Sequence, residues 1–173
     1  MTTAVERAAE TTHRYREAVE AGDIEAFLAT LAPDVVLHSP ITARTQFRGH
    51  DEMRTLMRAV LASVEGIRYF EDVGDANTRA LFYRAHVGRQ DVEEATLVRL
   101  GGDALVTEIR LWFRPLPGLT AVMGRLGPAL AREHGRARAV AARGLIAPMV
   151  AAARAGDAVA VSLVRPSRRS GRA

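Results

Sequence analysis

The chain has 173 residues, 48% of them hydrophobic and 5% aromatic, with no cysteine and a formal net charge of +4. This is enough apolar material for one substantial core, while the missing cysteines exclude disulfides and thiolate chemistry, and the low aromatic share argues against a base-stacking platform. The opening MTTAVERAAE has no charged start followed by an apolar run, and no uninterrupted run approaches the roughly 18 apolar residues of a bilayer span, so a cytoplasmic protein is expected.

The first element reads as a helix in which Val5, Ala8, Ala9, Thr12, Tyr15, Ala18 and Val19 recur at steps of three and four, leaving Glu6, Glu10, Arg14 and Glu17 wet. Gly22 stops it, and Asp23 fits the N-cap of a short helix holding Ile24, Phe27, Leu28 and Leu31. Pro33 and Asp34 close that helix, and Val35, Val36 and Leu37 open a strand. Residues 41–49 read as a loop. A helix capped by His50 or Asp51 then runs to about Val64, with Met53, Leu56, Met57, Val60 and Leu61 at helical spacing, and Gly66 ends it. Strands follow at about 67–73, 78–87, 91–100 and 104–114, separated by GDAN, VGRQ and LGGD turns.

The order of motifs carries a resemblance: RYREAVEAGD, then LAPDVVLHSP, then FRGHDEMR opening a long helix, then strand-rich sequence ending in EIRLWFRP. Over roughly residues 5–117 the chain resembles the SnoaL-like and ketosteroid-isomerase-like proteins of the NTF2-like superfamily. The resemblance implies an α+β cone, a curved antiparallel sheet wrapped against N-terminal helices around a deep apolar pocket, commonly dimeric through the sheet. It sets the domain at residues 1–117, and it makes the function the binding of a small hydrophobic ligand without a cofactor. Isomerase, cyclase or hydrolase chemistry comes with that reading, and a non-catalytic binding module or dimeric scaffold is the alternative.

Alternation along the strands sorts the side chains. Leu81, Tyr83, Ala85 and Val87 share one side, with Phe82, Arg84 and His86 opposite. Val92, Thr96, Val98 and Leu100 face inward, and so do Thr107, Ile109, Leu111 and Phe113. Glu93, Arg99, Glu108, Arg110, Trp112 and Arg114 face outward, as an ion-pair lattice on a solvated or subunit-contact face. The candidate ligand-binding set is therefore Phe27, Leu37, Ser39, Met53, Met57, Tyr83, Thr96, Val98, Ile109, Leu111 and Phe113, with Tyr15 and His38 as the catalytic candidates. Tyr15 stands where the resemblance places an oxyanion-donating tyrosine. The isomerase's second donor and its base fall at Thr96 and Ser39, and an acid of limonene epoxide hydrolase falls at Leu111. None of these can serve as a carboxylate, so the cavity is expected to hold no acid and any activity to change little between roughly pH 5.5 and 8. His38 shares the parity of the outward set. The five histidines show no ligand-type spacing, no phosphate loop is present, and no metal site is expected.

Residues 119–173 carry 10 Arg against 2 acidic residues, whereas residues 1–118 carry 14 Arg against 18 acidic residues, so the basic character belongs to the extension. Residues 118–165 begin as an amphipathic helix with Leu119, Val122, Met123, Leu126 and Leu130 on one face, followed by a cluster at Leu145, Ile146, Met149 and Val150. Gly135, Gly144 and Pro148 predict two or three short helices, packed on the domain or a partner subunit. Residues 166–173 read as a disordered basic tail. A homodimer is expected, while the lack of interleaved aromatics argues against nucleic-acid or membrane binding.

Overall fold

A computed structural model of the chain describes residues 2–133 and 135–164; the tail and His134 lie outside the described residues. The chain folds as α1 (Ala4–Ala21), α2 (Ile24–Leu28), β1 (Leu31–His38), β2 (Gln46–Arg48), α3 (Gly49–Leu61), β3 (Glu65–Gly74), β4 (Thr78–Val87), β5 (Gln90–Leu100), β6 (Val106–Arg114), α4 (Leu116–Arg132) and α5 (Arg136–Val164). The architecture is the α+β one expected from the resemblance, with six strands in the order β2-β1-β6-β5-β4-β3. Its sheet is mixed, because β1 runs parallel to β6 while every other pair is antiparallel.

Local chemistry accounts for the helix ends. Thr3 and Glu6 form a reciprocal capping box at the start of α1, and Gly22, at φ 71°, closes it by bonding to the Ala18 and Val19 carbonyls. Asp23 caps α2, its carboxylate accepting from the Ala26 amide at 2.9 Å. Several boundaries differ from the sequence expectation. Leu31 opens β1 instead of closing α2. Pro33 and Asp34 lie within β1 instead of ending α2, tolerated where the β1–β6 register shifts between Leu31 and Val36. Gln46–Arg48, expected as loop, pair with β1. α3 starts earlier, at Gly49, with Arg48 at the N-cap and its amide bonded to the Glu52 carboxylate at 2.7 Å, and Gly66 falls inside β3.

The helices α1, α3 and α4 cover one face of the sheet, and that face supplies Leu81, Tyr83, Ala85, Val87, Val98 and Ile109 to the core. A buried ion cluster pins α1 to the sheet. Asp72 accepts from Thr12 at 2.8 Å and from the Arg79 guanidinium at 2.8 Å, with Arg16 at 3.3 Å.

α4 docks through Pro117, Thr120, Ala121 and Val122. α5 packs against α4 with little clearance: a Cβ on Gly124 would lie 3.2 Å from Val150, and one on Gly127 would lie 3.0 Å from Ile146. The extension differs from expectation in one respect. Gly135 breaks the chain at φ +116°, but Gly144 and Pro148 sit inside the single helix α5. Ile146 and Val150 turn partly inward, while Leu145 is 82% exposed. An 18-residue window of α5 within Arg136–Asp157 has a mean hydropathy of 1.2 and meets the length and composition of a membrane span, which the count of uninterrupted apolar residues overlooks because arginines punctuate it.

Candidate functional site

The sheet register builds the site. Tyr69 pairs with Tyr83, Tyr83 with Glu94, and Glu94 with Phe113, so four side chains line up across β3, β4, β5 and β6 on the inner face. One row further along, Leu81, Thr96 and Leu111 are partners in the same way. Glu94 is thus set between two hydroxyls. Tyr83 donates to Glu94 Oε2 at 2.5 Å, and Thr96 donates to Oε1 at 2.5 Å. Tyr15 approaches from α1, its ring edge-on to Phe27 at 5.1 Å and to Tyr69 at 6.5 Å, and Tyr69 stands edge-on to Tyr83 at 5.3 Å. These contacts form a continuous polar-tipped aromatic cluster beside one carboxylate.

A cavity of about 190 Å³ opens onto this cluster, bordered by Tyr15, Tyr69, Tyr83 and Glu94. Apolar walls come from Val19, Leu56, Val60, Ile67, Leu111 and Phe113, and the 39–45 loop and Phe47 form one rim. The extension closes the other side with Val122, Leu126 and Leu130 of α4.

Burial governs the electrostatics. Removal from water pushes the Glu94 carboxyl up from 4.5 to about 7, against the pull of the Thr96 and Tyr83 hydrogen bonds that favour its charged form. Tyr15 is raised above the usual phenol range by burial and then by the nearby Glu94 charge, with a hydrogen bond from Tyr69 working the other way. Tyr69 and Tyr83 are raised by burial as well, so all three phenols stay protonated donors near neutral pH.

The sequence profile of the SnoaL-like domain matches residues 12–165, nearly the whole chain and well into α5. The chain belongs to the SnoaL-like family. Among solved structures, this SnoaL-like chain is similar to a steroid delta-isomerase from Pseudomonas aeruginosa at 23% identity and a TM-score of 0.63, over 74% of this chain and 91% of that one. It is also similar to a protein with a cystatin-like fold from Silicibacter pomeroyi DSS-3, at 27% identity and a TM-score of 0.64 over 78% and 92% of the two chains. An epoxide hydrolase/cyclase-like enzyme of pyran ring formation in the polyether salinomycin shares the fold at 15% identity and a TM-score of 0.55, over 63% and 92%. No curated protein matches the chain. These likenesses show the fold, which the chain shares with proteins described as a steroid delta-isomerase and an epoxide hydrolase/cyclase-like enzyme.

Within this SnoaL-like cone, Tyr15, Leu37, Ser39, Tyr83, Leu111 and Phe113 border the cavity. Thr96 lies behind it, 1% exposed, with its hydroxyl on Glu94. Phe27, Met53, Met57, Val98 and Ile109 are corrected from cavity wall to core, since all five are buried and none borders the cavity. His38 is corrected as well. Val35 and Leu37 take the inner face of β1, so the His38 imidazole lies outside, with Nε2 3.1 Å from Glu108 and Nδ1 3.3 Å from Gln46. Glu94 overturns the expectation of a cavity without an acid. Its signal was present in the sequence: with Val92, Thr96, Val98 and Leu100 inward, alternation puts residue 94 inward too. Among the described residues no three His, Cys, Asp or Glu side chains gather as metal ligands.

Proposed function

We propose that this SnoaL-like protein is a proton-transfer enzyme of the isomerase or cyclase kind, using its own side chains on a small, largely apolar substrate that carries one oxygen function. The observation that carries the reading is Glu94, among the described residues the one carboxylate in the lining of a largely apolar cavity, poised near neutrality by burial. A base whose pKa lies near the working pH is both available in its charged form and strong enough to take a proton. Ionised Glu94 takes the proton from substrate carbon or hydroxyl, and the same carboxyl returns it elsewhere. Tyr15, whose hydroxyl stays protonated, donates to the substrate oxygen on which charge develops. Tyr83 and Thr96 hold the carboxylate in place.

The cavity volume limits the substrate. At about 190 Å³ it is smaller than the roughly 300–1,000 Å³ of sites for drug-sized ligands, which favours one or two rings over a four-ring steroid. The outer sheet face, where Phe70 and Trp112 are about half exposed, supports pairing with a second copy of the chain.

5-Nitrobenzisoxazole, a small apolar compound whose ring opens when a base removes one carbon-bound proton, tests the reading. The chain is expected to accelerate its opening, with a rate that rises through about pH 7 and is lost in Glu94→Gln. A rate equal to that of buffer, or unchanged by the substitution, contradicts the assignment.

A further inference from the structure

A second cavity, open to solvent and of about 840 Å³, lies between α4, α5 and the β4–β5 turn. Its floor includes Ile146 and Val150, and its rim carries Arg89, Arg125, Arg143 and Arg154, with no carboxylate in the lining. On the outer sheet face arginines meet acids: Arg84, Arg99, Arg110 and Arg114 each stand within 4.0 Å of a glutamate. Here the pattern fails. Among the described residues Arg125 has one partner, Glu65 at 3.2 Å, and Arg89, Arg143 and Arg154 have no ion pair. Like charges gathered over an apolar floor repel one another until an anion arrives.

The groove also seats one of its cations. Gly88 turns the chain at φ +66°, and a Cβ there would lie 2.7 Å from Arg125 Nη2, so the missing side chain leaves room for the guanidinium against the turn beside Arg89. The close approach of Gly124 to Val150 brings α5 to the level of Arg125, and Arg154 follows one turn later on the same helix. Arg143 lies seven residues before Val150, about 10 Å along the floor.

We infer that this groove binds a single-chain amphipathic anion, with a phosphate or carboxylate head on Arg89, Arg125 and Arg154 and an alkyl or acyl chain along Ile146 and Val150. Guanidinium forks suit such heads by geometry as well as charge. The site is separate from the Glu94 cavity. α4 stands between the two, giving Ala121, Gly124 and Arg125 to the groove and Val122, Leu126 and Leu130 to the cavity.

Calorimetric titration of the full chain with dodecyl phosphate, below its micelle concentration, tests the inference, with 1-decanol as the neutral control. Binding of one dodecyl phosphate per chain is expected, weakened at least tenfold in Arg89→Ala/Arg154→Ala and unchanged in Glu94→Gln. Raising sodium chloride from 50 to 500 mM should weaken the phosphate and leave decanol unaffected, a readout on the unaltered chain that does not depend on how the double variant folds. Equal binding by wild type and double variant, an equal loss for decanol, or affinity confined to phosphatidylglycerol vesicles or polyglutamate overturns it.

Discussion

Glu94 and Glu108 sit on neighbouring strands of one sheet, yet opposite faces drive their acidities in opposite directions. Glu108 lies outside, where Arg110 donates at 2.6 Å and Arg99 and His38 stand at 3.4 and 3.1 Å. The Arg110 hydrogen bond, followed by the surrounding positive charge, holds its carboxyl below 4.5. Glu94 lies inside with neutral hydroxyl donors and no cation, and burial drives its carboxyl up. Position on the pleat has therefore separated a charge that supports the fold from one that can exchange a proton.

The largest expected effect separates the two carboxylates by activity. Glu94→Gln should lower the rate of any proton transfer in the cavity by about 10²–10⁴, the usual contribution of a general acid–base group, as read in single-turnover kinetics. Stability should move the other way. Glu94 has a folded pKa above its unfolded value, so the stability linked to it is fully present below about pH 4.5 and is lost as pH rises through about 7. That loss amounts to about 3 kcal/mol above pH 7. Glu94→Gln should remove it, flattening chemical-denaturation stability between pH 5 and 8 and raising the melting temperature at pH 8. Glu108 has the opposite sign: its contribution is present above its unfolded pKa and disappears only as pH falls through its lower folded value.

Tyr83→Phe sharpens the comparison by removing one of the two bonds that favour the charged form of Glu94. The midpoint of the pH–rate profile should move above that of wild type, with the plateau at high pH largely kept; a shift to lower pH would contradict the role given to Tyr83. The smallest effect belongs to Glu108→Gln. Its partners are half exposed, so stability should change by no more than about 1 kcal/mol in denaturation curves, and the pH–rate profile should stay in place.

The elements with strong local signals were legible in the sequence. The stripe of α1, the Gly22–Asp23 stop and cap, and the alternation of β4 and β5 all appear where the residues put them, whereas in β6 a register shift against β5 turns Val106 inward in place of Thr107. What escaped depends on partners distant in sequence. β2 is three residues long and forms only because β1 lies beside it, and Pro33 is accommodated by a register shift against β6 that no local pattern announces. α5 continues through Gly144 and Pro148 because packing on α4 outweighs two poor helix formers.

The site is legible in its parts, with Tyr15, Tyr83 and Thr96 all placed inward, but an inward glutamate escapes such a reading because charged residues are usually solvated. The two flanking hydroxyls that make its burial tolerable stand on different strands or two residues apart on one. Met53, Met57 and the other core residues read in sequence as cavity wall because inward parity does not distinguish a lined void from a filled one.

The central claim is that Glu94 carries a proton in half of the molecules near neutral pH. It is tested most directly by following glutamate side-chain carboxyl resonances against pH in ¹³C-labelled protein, with Glu94→Gln to assign the signal. A resonance absent from that variant should titrate with a midpoint near pH 7, while the one missing from Glu108→Gln titrates below 4.5. If the Glu94 signal instead titrates below pH 5 alongside the surface glutamates, the cavity holds an ordinary carboxylate and the account fails.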